Sequence, residues 1–434
     1  MKGLMRLSSA LLNEQVEKVI SFNGINVYKI NQNRFKTNTI NIFFHDSLTK
    51  ENASLNALMP AVLRRGCERF PTLRDIALYL EELYGAVFDC GVAKKGERQI
   101  IQFYAEYISD KYTLEDEGLL DKVFSLLLEI ITQPVLVNGV FKEDYVTSEK
   151  ENLKRLIESR VNDKVQYAVE RCFEEMCSEE PFGIYDYGSI EDIEKIDSKA
   201  LYQHYTKALQ TMPVDIYFTG DIDNSKIIEL SEKLKNLERT NIKNVGIGEI
   251  DKDVKEVKII TEKMNVNQGK LTMGFRTYIA PGSKEYYSLM VYSTVLGGGM
   301  HSKLFQNVRE KASLAYYAFS RLEKFKGLMV ISSGIESENK DKAIDIINKQ
   351  LEDIKKGKIS DYEYDSTLKS IETGIKSLKD SQLQMVDFYM SQDLTGQGDN
   401  FDTLVEKVKK VTKEDIVKAA KNIKLDTIYF LTSA

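Results

Sequence analysis

Hydrophobic residues in the first half of the chain follow two spacings. Alternating apolar residues, or runs rich in β-branched and aromatic residues, predict strands, whereas apolar residues at every third or fourth position predict amphipathic helices. The first half reads as two strands, helices, a hairpin, long helices and a last strand. The predicted strands are Ile25–Ile30, Thr39–Phe44, Ala86–Val92, Gln99–Ile108 and Val214–Thr219, and the predicted helices are Ser54–Leu63, Leu73–Leu83, Leu119–Ile131 and much of Lys142–Cys177.

The second half repeats this order of patterns. Its predicted strands are Lys270–Thr277, Leu314–Arg321, Gly327–Gly334 and Thr427–Thr432, and its predicted helices are Tyr286–Leu296, Asp341–Ile354 and Asp361–Met390. Strands that are grouped, rather than alternating strictly with helices, indicate an α+β fold and not a doubly wound sheet. Two similar halves indicate a gene duplication that produced two related domains.

A polar stretch separates the two halves. Residues 236–256 read NLERTNIKNVGIGEIDKDVKE and have no sustained apolar period, which is typical of an exposed connection. We therefore predict an N-terminal domain at 1–235, a linker at 236–256 and a C-terminal domain at 257–434.

Composition and charge exclude several classes of partner. The 434 residues carry a formal net charge of −6, so electrostatics give no reason to expect nucleic acid or an anionic membrane as the partner. No run approaches the roughly 20 apolar residues of a membrane span. The early apolar run is interrupted by Asn13, Glu14 and Gln15, so it does not resemble a secretory signal. The four cysteines form no C-x-x-C pair and are expected to be buried or half-buried thiols. A cytoplasmic protein is expected.

Residues that could carry metal or nucleophilic chemistry are scattered. The three histidines, His45, His204 and His301, lie far apart in the sequence, and no cluster of His, Cys or carboxylate residues has the spacing of a zinc site. No nucleophile elbow or phosphate-binding loop is present. The run Gly297-Gly298-Gly299 follows a helix, so it is interpreted as a turn and not as a phosphate cradle.

The segment after that glycine run carries a specific resemblance. Residues 297–320 read GGGMHSKLFQNVREKASLAYYAFS, with a glycine turn followed by Leu-Phe, Val-Arg-Glu-Lys and Leu-Ala-Tyr. This pattern resembles the C-terminal domain of the insulinase/pitrilysin metallopeptidases. The stretch LRRGCERFPTLRDIALYLEELYGAVFD and the pair Gly220-Asp221 resemble that family's first domain. The resemblance implies two homologous domains, each a mostly antiparallel β-sheet backed by helices.

The zinc motif of the family is missing. Active members carry H-x-x-E-H on the first helix, where two histidines bind zinc and the glutamate activates water. Matching Gly66 to the family's glycine after the motif places Ala57 and Ala61 at the histidines and Pro60 at the glutamate. No histidine lies between His45 and His204, so the motif cannot be recovered by shifting the alignment.

The family's third zinc ligand is a glutamate on a later helix. Its position falls on Leu156, and a shift of two residues would reach Glu158 instead. The preceding family glutamate matches Glu149. No metal is therefore expected in this chain, and zinc is expected only in a partner subunit.

The second functional element of the family is retained. Members place an arginine and a tyrosine seven residues apart, where both contact the substrate near the scissile carbonyl, and Arg309 and Tyr316 match this pair. Guanidinium and phenol groups are both donors suited to a carbonyl that becomes an oxyanion.

In two-subunit members of this family one subunit holds zinc and the other supplies substrate contacts. The resemblance therefore implies a non-catalytic, substrate-binding subunit of a heteromeric zinc metallopeptidase, paired with a zinc-bearing family member and acting on peptides. Two alternatives stay open. One is a stand-alone structural or peptide-binding protein without peptidase activity. The other is a metallopeptidase with an atypical metal site that uses His301 or His45 with nearby carboxylates.

Overall fold

A computed structural model describes residues 16–115 and 117–433 of the chain. The strands are β1 (Val16–Phe22), β2 (Ile25–Asn31), β3 (Thr37–Ser47), β4 (Val87–Lys95), β5 (Arg98–Ile108), β6 (Leu136–Val137), β7 (Val140–Phe141), β8 (Val214–Gly220), β9 (Lys258–Lys263), β10 (Gly269–Arg276), β11 (Ala315–Glu323), β12 (Leu328–Ile335) and β13 (Lys424–Thr432). The helices are α1 (Lys50–Leu63), α2 (Leu73–Glu82), α3 (Leu119–Thr132), α4 (Glu143–Ser159), α5 (Lys164–Met176), α6 (Ile190–Lys195), α7 (Ser198–Thr211), α8 (Asn224–Glu232), α9 (Glu285–Gly297), α10 (Lys340–Lys355), α11 (Asp361–Leu378), α12 (Gln382–Thr395), α13 (Phe401–Lys409) and α14 (Lys413–Asn422).

Two large sheets share one strand order. The first has six strands in the order β1-β2-β8-β3-β5-β4, and the second has five in the order β11-β12-β10-β13-β9. Read from the other edge, the second sheet reproduces β2-β8-β3-β5-β4 as β9-β13-β10-β12-β11. Among the described residues, the parallel neighbours are β2 with β8 and β13 with β9, and the other neighbours are antiparallel. The predicted α+β class, with mostly antiparallel sheets backed by helices, is confirmed.

The first sheet is covered on one face by helices. Alternate residues of β3 and β5 contribute buried side chains to a core that also contains the apolar face of α3. Phe124 of α3 packs against Phe218 of β8, with ring centroids 5.5 Å apart. The apolar faces of the strands and of α3 point toward each other, so their buried side chains form one continuous core.

The chain forms two compact units that do not follow a single cut along the sequence. The first comprises the residues up to Ser159, Ile184–Gly246 and Gln382–Tyr389, and the second comprises Arg160–Gly183, Ile247–Ser381 and Met390 onward. Two segments therefore belong to the unit built mainly from the other half of the chain, and one of them carries α5.

Helix α5 is held in the second unit by close packing on β10 and β13. Gly274 of β10 lies directly beneath it, since a Cβ atom at this position would be only 2.9 Å from Met176 Sδ. Arg276, also on β10, donates to the carbonyl of Met176 at 3.2 Å. A glycine and a buried cation thus fix the end of α5 on the sheet.

Some element boundaries differ from the sequence predictions. The helical pattern of Lys142–Cys177 is two helices, because Asp163 accepts the N–H groups of Val165 and Gln166 and starts α5 anew. The pattern of Asp361–Met390 is likewise divided between α11 and α12. The strands β1 and β9 were missed because each lies at a sheet edge, where β1 fully buries only Val16 and β9 fully buries none of its residues.

No helix in the described ranges is long and apolar enough to cross a membrane. Residues 1–15, which carry most of the N-terminal pattern used for the cytoplasmic expectation, lie outside the described residues.

Candidate functional site

Helix α1 carries the positions that match the zinc motif. Thr49 caps its first turn by accepting the N–H of Asn52 at 3.3 Å. Ala57 and Pro60 are buried and Ala61 is half-buried. Methyl and pyrrolidine side chains offer no metal donor, so these residues do not fit a zinc ion.

The carbonyl oxygen of Pro60 faces β4. It accepts the Sγ–H of Cys90 at 3.2 Å and the N–H of Arg64 at 3.0 Å. Burial raises the pKa of the Cys90 thiol to about 12, so this sulfur remains a thiol and not a thiolate at neutral pH. The contact is therefore a packing and hydrogen-bonding contact between α1 and β4.

Helix α4 packs against α1 and carries the two glutamate positions of the family pattern. Glu149 is buried, and its carboxylate lies 3.2 Å from Arg65 Nη1 and accepts from Asn152 Nδ2 at 3.0 Å. Leu156, at the predicted third-ligand position, is 45% exposed, and Glu158 is also exposed. The carboxylate of Glu149 therefore forms an ion pair with the guanidinium of Arg65.

Strand β4 lies at one edge of the first sheet. Within the described part of the chain it pairs only with β5, so its other edge presents unpaired backbone groups. Its half-buried residues Phe88 and Cys90 alternate with the exposed residues Val87 and Asp89. An edge of this kind can accept an extended peptide as an additional strand.

A buried polar network that the sequence did not reveal lies beside α1. Asn56 Nδ2 donates to Gln99 Oε1 at 2.9 Å, and Asn56 Oδ1 accepts from His204 Nε2 at 2.7 Å, in the tautomer that carries its proton on Nε2. Asp46 pairs with Lys243 at 2.6 Å and accepts from Asn52 at 3.0 Å. The sequence signal for this network is the pair Asn52 and Asn56, which are four residues apart and so lie on one face of α1.

The three histidines have separate surroundings. His45 Nε2 lies 3.0 Å from Asp215, and His301 Nε2 lies 3.0 Å from the hydroxyl of Thr367. Burial lowers the pKa of His204 to about 4, so its ring is neutral at pH 7. Across residues 16–115 and 117–433, no group of three or more His, Cys, Asp or Glu side chains is arranged to hold a metal ion.

Arg309 lies on a helical turn of unusual geometry. Residues Phe305–Lys311 form a π-helical turn, a conformation that is rare and is found frequently at functional sites. The guanidinium of Arg309 lies over the Phe305 ring, 4.6 Å from its centroid, and its Nε is 3.6 Å from Glu310. The side chain is 43% exposed, so its remaining donors are accessible.

Tyr316 lies in a β-bulge at the start of the edge strand β11. Ala315 pairs with Ile335 and Tyr317 pairs with Gly334, so Tyr316 is an extra residue without a partner on β12. Bulges locally re-aim side chains, and this one leaves Tyr316 76% exposed. The structure thus presents both Arg309 and Tyr316 on the surface of the second unit, and their role in substrate binding stays a prediction.

Comparison with known proteins places these features in a family context. The sequence profile described as "Peptidase M16 inactive domain" matches residues 195–371. The chain is 36% identical over 408 residues to the "Probable inactive metalloprotease YmfF" of Bacillus subtilis, covering 94% of this chain and 96% of that protein. It is 22% identical to the "Uncharacterized zinc protease YmxG" of the same organism, covering 81% of this chain and 86% of that protein.

Solved structures with the same fold cover almost the whole chain. A conserved protein from Enterococcus faecalis superimposes with a TM-score of 0.89 at 28% identity, covering 96% of this chain and 98% of that chain. A structure from Pseudomonas fluorescens described as a peptidase M16 inactive domain has a TM-score of 0.76 at 15% identity, with the same coverage.

Proposed function

Since the chain belongs to the peptidase M16 family and is a homologue of its inactive members, we propose that it is a non-catalytic, peptide-binding subunit of a zinc peptidase. In this proposal the metal and the water-activating glutamate are on a zinc-bearing M16 partner. This chain binds the peptide and supplies donors to it.

The observation that carries the proposal is the combination of a lost motif with an exposed donor pair. Ala57, Pro60 and Ala61 cannot bind zinc or activate water, whereas Arg309 and Tyr316 keep free donor groups at the surface. A π-helical turn and a β-bulge hold these two side chains. Irregular backbone of this kind is costly unless it serves a purpose, which supports a role in binding.

The free edge of β4 supports an extended peptide as the ligand. Main-chain hydrogen bonds along a sheet edge bind a peptide with little dependence on its sequence, and side-chain contacts add selectivity. The half-buried and exposed residues that alternate from Val87 to Cys90 give such a strand two different environments.

The test is reconstitution with a zinc-bearing M16 member from the same genome. The two chains are purified separately and mixed, and association is measured by analytical ultracentrifugation while cleavage of a quenched fluorescent peptide mixture is followed. We expect a heteromer whose chelator-sensitive activity requires both chains. A partner carrying glutamine at its H-x-x-E-H glutamate is the matched inactive control.

Two outcomes would overturn the proposal. If the zinc-bearing chain is fully active alone and does not associate with this one, the subunit role is wrong. If this chain binds peptides without associating, the alternative of a stand-alone peptide-binding protein replaces it.

A further inference from the structure

A row of three residues crosses one face of the second sheet. Gly334 of β12 pairs with Lys270 of β10 on one side and with Tyr317 of β11 on the other. Residues paired across neighbouring strands project on the same face, so Lys270 and Tyr317 lie on one surface with only a glycine between them.

The glycine is required for this arrangement. A Cβ atom at position 334 would be 2.5 Å from Tyr317 Cε1, which is closer than real Cβ contacts occur. The phenol ring therefore lies across Gly334, and Lys270 Nζ is 5.9 Å from the ring centroid. Phe319 extends the aromatic surface along β11, with its ring centroid 5.7 Å from that of Tyr317.

Lys270 is the unusual member of this row. Its side chain is half-buried, yet among the described residues its Nζ has no hydrogen-bond acceptor and no carboxylate at ion-pair distance. Burial lowers the pKa of Lys270, because its ammonium is partly desolvated and the nearest contact on this face is the ring of Tyr317, not a carboxylate. Lysines are seldom buried without a partner.

The charged side chains that the structure describes near the row do not form an ion pair with Lys270. The negative charge of Glu336 raises the pKa of Lys270, but the Glu336 side chain is exposed to solvent and forms no ion pair with the lysine. The charge of Asp163 raises the pKa of Tyr317, and one oxygen of this carboxylate, Oδ1, accepts two N–H groups of the first turn of α5. Arg321, two residues beyond Phe319 on the same face, contacts the neutral amide of Gln166 at 3.4 Å.

We propose that Lys270, Tyr317 and Phe319 form a specificity subsite for an acidic side chain of the bound peptide. The ammonium of Lys270 binds the carboxylate of a glutamate or aspartate, and the two rings pack against its aliphatic part. This subsite rests on the proposed peptide-binding function and adds a charge preference to it. Binding restores to Lys270 the counter-charge that its half-buried position lacks.

The test compares two peptide series on the full chain. Fluorescein-labelled nonapeptides of alanine, valine and serine carry a single glutamate scanned through every position, and a second series carries glutamine instead. Binding is measured by fluorescence anisotropy. We expect one position at which glutamate binds at least about tenfold more tightly than glutamine, as for a charge-assisted hydrogen bond. The preference should weaken with salt.

Three substitutions then test whether the preference for glutamate over glutamine depends on Lys270. Lys270→Gln should abolish it without lowering the unfolding midpoint, because this lysine has no ion pair to lose. Lys340→Gln is the matched control, since Lys340 Nζ lies 5.2 Å from the Phe430 ring centroid in the same unit. Tyr317→Leu removes the ring face and should weaken binding of both series at that position.

The outcomes separate the two proposals. If no peptide of either series binds, the peptide-binding function is wrong and the subsite with it. If peptides bind with equal affinity for glutamate and glutamine at every position, only the subsite is wrong. A glutamate preference that survives Lys270→Gln also overturns it.

Discussion

Arg276 binds both carboxylate oxygens of Glu180, with Nη2–Oε1 and Nη1–Oε2 distances of 2.6 and 3.3 Å, although both side chains are nearly inaccessible to solvent. Its Nε also donates to Asp426 at 2.8 Å, and Lys326 pairs with the second oxygen of Glu180 at 2.8 Å. Glu180 belongs to the segment that carries α5, whereas Arg276 and Asp426 lie on the second sheet. The pair therefore fixes that segment electrostatically as well as by packing.

Arg276→Met should strongly destabilise the second unit. The substitution leaves Glu180 and Asp426 buried with less compensating charge, and breaking a buried pair in this way costs about 3–5 kcal/mol. Urea unfolding together with amide hydrogen exchange in α5 measures the loss. Lys424→Met, which removes an exposed pair with Asp253 at 3.8 Å, should change stability by less than about 1 kcal/mol. If both variants lowered the free energy of unfolding equally, the buried pair of Arg276 and Glu180 would not stabilise the second unit as expected.

Two glycines should respond in opposite directions to alanine. Gly274→Ala introduces a methyl group 2.9 Å from Met176 Sδ and 3.1 Å from Cys172 Sγ, so about 1–3 kcal/mol of overpacking is expected. Gly374 lies inside α11 with nothing within 4 Å, so Gly374→Ala should stabilise the protein by about 0.5–1 kcal/mol. Thermal unfolding of both variants checks the signs. A stabilising Gly274→Ala would show that α5 is not tightly packed on β10.

The sequence predicted the layout better than the local geometry of the site. Alternation located β5, and runs of residues that suit a buried strand located β3, β10 and β12, because nearly every residue of those three strands is buried. Neither pattern could locate the bulge at Tyr316, since a bulge depends on the register with β12 and not on the residues of β11 alone. The same holds for Lys270 and Tyr317, which are far apart in sequence and meet only through Gly334.

His204 should make the protein sensitive to mild acid. Its pKa of about 4 in the fold lies below the ordinary value of 6.5, so between these values the unfolded chain binds a proton that the folded chain does not. Stability should therefore fall as the pH drops from about 6.5 to 4, by on the order of 3 kcal/mol. Urea unfolding at several pH values measures the slope. A His204→Gln variant should lack this component, and an unchanged slope would refute its assignment to His204.

Zinc and chelators should leave the purified chain unchanged. Ala57, Pro60 and Ala61 carry no donor atoms, and Glu149 already pairs with Arg65 at 3.2 Å. We expect neither EDTA nor a slight excess of zinc to shift the unfolding midpoint, whereas binding at 100 times the dissociation constant would add about 2.7 kcal/mol. Differential scanning calorimetry checks this. Stoichiometric zinc with ligands from α1 and α4 in a crystal would show that the motif assignment is wrong.

The last prediction concerns the exposed donor pair. In the reconstituted heteromer, Tyr316→Phe removes one hydroxyl donor and Arg309→Ala removes the guanidinium. If these groups stabilise an oxyanion on the peptide, each change should lower the cleavage rate by about 10²–10³-fold. Neither should weaken subunit association or lower the unfolding midpoint of the chain, because Tyr316 has no partner on β12 and Arg309 is 43% exposed.

Two substitutions of matched residue type supply controls for that experiment. Tyr362→Phe alters another exposed tyrosine of the second unit, and Lys311→Ala removes a cation from the same π-helical turn, where it donates to Asn307 at 3.2 Å. Both controls should leave the cleavage rate within about twofold of the unaltered heteromer, since each changes an exposed group that is not part of the proposed donor pair. A loss of rate confined to Arg309 and Tyr316, with association unchanged, would assign a role in trans to this pair. Full activity of both variants would refute a role for the pair in trans, because the bulge and the π-helical turn would then hold side chains that the reaction does not use.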